Sequence, residues 1–327
     1  MNGNLRQITV NESRINITFK TSTPDEPPIA QVEDVVSESS NHLKEIESIS
    51  HIFEELNSMI GLEEVKDLVH EIFSFLQIEK LRKEMGLKTS AQSYHMLFRG
   101  NPGTGKTTVA RIVAKLFQQM GLLSKGHLIE VERADLVGEY IGHTAQKTRD
   151  LVKKAMGGIL FIDEAYSLAR GGEKDFGKEA VDCLVKMMED KKDDLIIILA
   201  GYPDEMDEFL ETNTGLPSRF PIKIDFRDYS LDELTLIADK MVKEKDYILT
   251  EAAKSKLRDI VLDEKIKEAV FSNARLIRNL IEKSIRHQAV RLIGRHTRLS
   301  KKDLMLIQPN DIILNVIEDN SRVSVIS

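Results

Sequence analysis

Between an apolar run and an amphipathic one the chain carries GNPGTGKT, Gly100 to Thr107, and the helical pattern VARIVAKLFQQM begins two residues later. The spacing is G-x-x-x-x-G-K-[ST], which suits the binding of a polyphosphate. Glycines let successive backbone N–H groups converge on phosphate oxygens, and a helix starting there adds the positive end of its dipole. Lys106 is placed to reach the β- and γ-phosphates, and the Thr107 hydroxyl to ligate Mg2+. With glycine near 7% of residues, a chance match in a chain this long is on the order of one in a hundred. Asn101, Pro102, Gly103, Thr104, Gly105, Lys106, Thr107 and Thr108 form the candidate nucleotide-binding loop.

Such a loop needs a second acid for the metal. The run Ile159-Leu160-Phe161-Ile162 ends in Asp163-Glu164, at the carboxyl end of a buried strand, where open α/β sheets bind ligands. Asp163 is expected to hold Mg2+ through water, and Glu164 to orient and polarise an attacking water. Taken alone, two acids after a strand are as easily a solvated cap. The phosphate loop upstream favours chemistry.

These groups meet only if strands set them side by side. From residue 94, short apolar runs alternate with amphipathic helical stretches: YHMLF (94–98), HLIEV (127–131), GGILFID (157–163), LIIILA (195–200) and PIKIDF (221–226). The alternation predicts an α/β fold, a mainly parallel sheet flanked by helices on both faces. Two helical patterns precede it, one from near His42 to Ile60 and Gly61, the next LEEVKDLVHEIFSFLQIEKLRKEMG. After Tyr229 the strands stop, and 231–246, 250–262 and 272–296 read as helices. The expected organisation is a hairpin-like segment and Pro-, Ser- and acid-rich linker over 1–45, an α/β nucleotide-binding domain over 46–229, and a smaller helical domain over 230–327 with a short apolar tail.

Composition narrows the classes of function. Hydrophobic residues make up 41% and charged residues 30%, as in an ordinary soluble domain. No run approaches 18 apolar residues, so no membrane span is expected, and the first residues show no secretory signal. One cysteine, Cys183, excludes an internal disulfide, and the expected location is cytoplasmic. The net charge of −7 argues against nucleic acid as the main partner.

The order of the motifs resembles the AAA+ ATPases. The phosphate loop comes first, then Asp-Glu after the third strand, then Ser218-Arg219-Phe220 before the last strand, then a helical domain carrying Asn273-Ala274-Arg275. Residues 125–180, from KGHLIEVERADLVGEYIGHTAQKTRD to FGKEA, resemble the CbxX/CfqX branch, which includes the activase of red-type Rubisco. The likeness covers about residues 45–310. It implies a P-loop AAA+ core followed by an α-helical lid, ATP with Mg2+, a homo-oligomeric ring (a hexamer), and a protein client, in the setting of endospore formation. Ile60 and Gly61 match the segment that packs on adenine. Arg219 resembles the finger that reaches the γ-phosphate of the neighbouring subunit. Arg275 resembles the sensor-2 arginine of the lid, although Arg278, one turn further on, is open to the same role. The catalytic set is thus Lys106, Glu164, Arg219 and Arg275. Many AAA+ proteins end the fourth strand in Asn, whereas here it ends Ala200-Gly201-Tyr202-Pro203, and Tyr202 is left out of that set.

Tyr140-Ile141-Gly142 is an apolar knob in a polar stretch. The residues alone favour a staple, with Tyr140 folded onto the following helix. The resemblance places it on a pore loop that grips the client, with Gly142 supplying backbone freedom. ARGGEKDFG (169–177) is either a second such loop or an ordinary connection. The basic stretch 285–302, with Arg286, Arg291, Arg295, Arg298 and Lys302, reads as a solvated face. Two rivals share the fold: a nucleic-acid motor or loader, disfavoured by the acidic balance and Tyr140, and a low-turnover scaffold.

Overall fold

The structure is a computed structural model that describes residues 48–89, 92–140, 142–171, 176–191, 194–294 and 298–314. The expected hairpin and linker, the start of the first helical pattern, Ile141, residues 172–175 and the apolar tail lie outside them.

Helix α1 (residues 48–57) leads through Gly61 into α2 (Glu63–Glu84), which buries Val65, Val69, Ile72 and Leu76 at helical spacing. Gly61 has φ 64°, and a Cβ on it would overlap the Glu233 carboxylate. The left-handed conformation is what favours glycine there, since the Glu233 side chain could swing aside.

The expected alternation then appears as β1 (Met96–Gly100), α3 (Lys106–Gln119), β2 (Leu128–Val131), the single turn α4 (Arg133–Leu136) and α5 (His143–Ala155). It continues with β3 (Ile159–Ile162), α6 (Gly177–Asp190), β4 (Ile196–Gly201), α7 (Pro203–Glu211), α8 (Leu216–Arg219) and β5 (Ile222–Phe226). The five strands are parallel, in the order β2-β3-β4-β1-β5. Side chains alternate between faces along each strand. Met96, Phe98 and Phe161 join α2 and α3 in one core layer. Leu97, Leu160 and Ile162 join α5, α6 and α7 in the other. Two covered faces explain why the strands read as unbroken apolar runs. Ligands of such sheets bind outside the carboxyl ends of the strands, and β1 and β4 end there in Gly100 and Gly201.

Helices α9 (Leu231–Lys243), α10 (Glu251–Lys267), α11 (Asn273–Ile293) and α12 (Lys301–Met305) follow, around a core of Leu234, Ile237, Leu257, Ile277 and Leu280. Ser230 with Glu233, and Ser300 with Asp303, form capping boxes that start α9 and α12.

Two expectations need correction here. The strands do not stop at Tyr229: β6 (Ile248–Leu249) and β7 (Leu306–Ile307) pair in parallel. Two-residue strands carry too little periodicity to be seen in sequence. Nor is 285–302 a uniformly solvated face. Arg286, Arg298 and Lys302 are exposed, but Arg291 grips the buried Asp311 with two bonds, Nε to Oδ1 at 2.7 Å and Nη2 to Oδ2 at 2.8 Å. Among the described residues no helix is long and apolar enough to cross a membrane.

Candidate functional site

The phosphate loop rises from the end of β1, where Gly100 lies so close to β5 that a Cβ would overlap the Phe226 carbonyl. Gly103 (φ 72°) and Gly105 (φ 101°) give the turn its left-handed steps, and Gly105 caps α3 without a side chain to occupy the free N–H groups. Lys106 folds back over the loop and donates to the carbonyls of Gly100 (2.7 Å) and Asn101 (2.9 Å). Burial lowers its pKa to about 8, Asp163 works against that shift, and Arg275 adds to it. A half-buried ammonium whose charge is disfavoured by desolvation is a ready partner for phosphate.

Asp163 and Glu164 stand just past β3. Glu164 takes a left-handed conformation (φ 46°, ψ 45°), rare for a residue with a Cβ, and opens a 3-10 turn over Ala165–Ala169. Its N–H donates to Asp163 Oδ1 at 3.0 Å. Behind the acids, the ring of Tyr166 stacks on Tyr202, centroids 5.7 Å apart, and Arg170 sits 4.5 Å over the Tyr166 centroid. Burial, then the nearby Glu164 charge, raises the pKa of both phenols.

These parts wall one cavity of about 390 Å3 between the sheet and the helical domain, a size that suits a small-molecule ligand. Lys106, Thr107, Thr108, Asp163 and Glu164 line its polar end, while Met59, Ile60, Ile237 and Met241 line its apolar end. Of the expected loop, Pro102, Gly103 and Gly105 reach the cavity, whereas Asn101 and Thr104 brace it from behind. Thr104 is fully buried and donates to the Asn101 carbonyl at 2.8 Å. Gly61 is likewise behind the wall, against Glu233 and Tyr229. The helical domain sends in both Arg275 and Arg278, and Arg275 is the one whose field reaches Lys106.

The Thr107 hydroxyl donates to Glu130 Oε1 at 3.3 Å, a β2 carboxylate that sequence reading passed over. Among the described residues no three His, Cys, Asp or Glu side chains gather into a metal cage. Mg2+ in phosphate-transfer sites rests largely on the nucleotide's own oxygens and water, with one or two protein ligands. Thr107 and Asp163, both lining the cavity, fit that need.

Two expected groups lie elsewhere. Arg219, at the end of α8, is half-buried outside the cavity; its Nη1 donates to the Gly215 carbonyl at 3.0 Å, and its buried Nε has no partner among the described residues. Tyr140 is 65% exposed and meets His143 edge-on at 5.5 Å. It is not folded away as a staple would be. Gly142 (φ 83°) caps α5 with open space where a Cβ would stand.

Comparison with known proteins agrees with this geometry. Residues 96–228 match the family described as "ATPase family associated with various cellular activities (AAA)", and residues 230–322 match the AAA lid domain. Stage V sporulation protein K of Bacillus subtilis (strain 168) is 58% identical over 272 residues, 83% of this chain and 82% of that protein. The chain belongs to the AAA+ ATPases, in their CbxX/CfqX branch. Protein CbxX (plasmid) of Cupriavidus necator is 42% identical, covering 90% of this chain and 93% of that one. The chloroplastic ribulose bisphosphate carboxylase/oxygenase activase of Cyanidioschyzon merolae is 44% identical, over 81% and 91%. A solved structure, the FIGL-1 AAA domain, shares the fold at a TM-score of 0.54 and 20% identity, over 78% of this chain and 80% of that one. AAA+ proteins typically assemble as oligomeric rings. Tyr202, just past the end of β4, stacks on Tyr166 and feels the Glu164 charge.

Proposed function

We propose that this chain hydrolyses ATP in the cavity between sheet and lid and, as a ring of copies, remodels a protein client. One observation carries the reading: the half-buried Lys106, Asp163, Glu164 and Arg275 line one cavity with the glycine loop, close enough that the charges of the last three shift the Lys106 pKa. The apolar end at Met59, Ile60, Ile237 and Met241 receives adenine. The loop N–H groups and Lys106 hold the phosphates, and Arg275 adds positive charge in the same subunit. Thr107 and Asp163 would hold Mg2+, which neutralises charge on the phosphates. Glu164 accepts a proton from the attacking water and aims it in line with the γ-phosphate. Arg219, outside its own cavity, serves the cavity of a neighbouring copy, so a ring, most simply a hexamer, is required for turnover. Tyr140, Ile141 and Gly142 contact the client. The division is an AAA+ core over 46–229 and a lid from 230, in a cytoplasmic protein. The sporulation relative supports a setting in endospore formation.

Phosphate release by the purified chain, with ATP and Mg2+ and then with EDTA, tests the chemistry. Glu164→Gln should bind ATP yet slow release by about a hundredfold or more. Equal rates in both proteins would remove Glu164 from its role. The Glu164→Gln ring, used as a trap in sporulating cells, should retain a protein. Strong stimulation of the wild type by DNA or RNA at physiological salt would instead favour a nucleic-acid motor.

A further inference from the structure

Three residues of the phosphate loop, Asn101, Gly103 and Thr104, are tied to the segments that enter and cross the lid. Asn101 Nδ2 donates to Asp228 Oδ1 at 3.0 Å, and the Gly103 carbonyl accepts the Ala274 N–H at 3.2 Å. The Thr104 carbonyl accepts the Tyr229 hydroxyl at 3.1 Å. Gly103 packs so tightly that a Cβ would overlap the Ser272 carbonyl and lie 2.7 Å from the Arg275 nitrogen. Loop and helix therefore meet backbone to backbone.

Asn273 stands at the centre of these ties. It is fully buried and left-handed (φ 47°), a conformation Asn tolerates because its short amide can bond nearby. Its Oδ1 accepts the Tyr229 N–H at 2.9 Å. The two hydrogens of Nδ2 go to Asp228 Oδ1 at 2.7 Å and the Phe271 carbonyl at 3.0 Å, leaving Pro102 O at 3.4 Å as a close approach only. The amide is thus fully used, and no part of it faces the ligand. Two residues on, Arg275 leaves the same helical turn for the cavity.

We infer that Asn273 is a positioning residue: through Asp228 it registers the first turn of α11 on the phosphate loop, and so sets Arg275 against the phosphates. The inference rests on the ATPase reading above. Loop and lid then shift together, because Asn101 of the loop and Asn273 of the lid share the Asp228 carboxylate. A purely structural Asn273 would lower stability without acting through Arg275.

A double-mutant cycle separates the two. Asn273→Gly keeps the backbone conformation and removes only the amide. Turnover, affinity for a fluorescent ADP and melting temperature are measured for Asn273→Gly, Arg275→Ala and the pair. Asn273→Gly should lower turnover and affinity by about tenfold, and the pair should be within about twofold of Arg275→Ala alone. Wild-type turnover and affinity in Asn273→Gly, or losses that multiply in the pair, would overturn the inference. Should Asn273→Gly melt below the assay temperature, Asp228→Ala cuts the same bond from its exposed side and is judged by the same criterion. If the wild type binds ADP but never hydrolyses ATP, the ATPase reading fails, and the affinity cycle alone still decides the role of Asn273.

Discussion

Glu164 donates its backbone N–H to Oδ1 of Asp163, 3.0 Å away, from a left-handed conformation. A residue with a Cβ is strained there by about 1–2 kcal/mol. The strain turns the chain off β3 and presents both carboxylates to the cavity. Glu164→Gln should abolish hydrolysis with little change in melting. Glu164→Gly should abolish it too, but gain about 1 kcal/mol net of glycine's entropy, seen as a melting rise of about 2–4 °C. A Glu164→Gly protein melting no higher than Glu164→Gln would show that the conformation stores no strain.

Arg219 bonds the Gly215 carbonyl of its own chain and stays outside its own cavity. If it completes a neighbour's site, Arg219→Ala should bind ATP normally and lose about a thousandfold in turnover. The telling measurement is a mixture. Arg219→Ala keeps its acid and Glu164→Gln keeps its finger, so rings mixed from two inactive proteins should recover activity about tenfold above either alone. A silent mixture that nevertheless co-assembles by light scattering would confine Arg219 to its own subunit.

Tyr140 is mostly exposed and rests edge-on against His143. Removing so exposed a ring should change stability by no more than about 0.5 kcal/mol. Tyr140→Ala is expected to keep its melting temperature and its ADP affinity while losing client retention in the Glu164→Gln trap. A large drop in melting temperature would make Tyr140 a packing residue after all.

His95, at the amino end of β1, is buried; its Nδ1 accepts the Ile197 N–H at 3.0 Å, and burial lowers its pKa from 6.5 to about 4. The unfolded chain takes up a proton as pH falls below 6.5, while the folded one stays neutral until about 4. Stability is thus present above 6.5 and lost as pH falls toward 4, about 2 kcal/mol of it between pH 7 and 5. Denaturant unfolding at several pH values measures the slope. His95→Asn, which keeps an acceptor for Ile197, should flatten the slope, and an unchanged slope would assign it to the carboxylates.

Much of the fold and half of the site were legible because their causes are local. The five strands are apolar runs bounded by glycine and charge, and the phosphate loop is a steric requirement written in adjacent residues. Asp163 and Glu164 were visible because a strand's end places whatever follows it. Stretches such as 231–246 and 272–296 differed from α9 and α11 only by a turn or less at their ends.

What the sequence alone determined is therefore where the loop and the acids lie, and the alternation that forces a parallel sheet. The tertiary structure alone decided that Arg275 and Arg278 both line the cavity, that Tyr140 is exposed, that Arg291 turns inward to Asp311, and that Asn273 joins loop to lid. The reason is distance along the chain. Asn101 finds Asp228 across 127 residues, and Asp228 finds Asn273 across 45. No periodicity links such partners. They are matched only when the packed core brings distant segments together, and the fully buried Asn273 must then find partners for its amide.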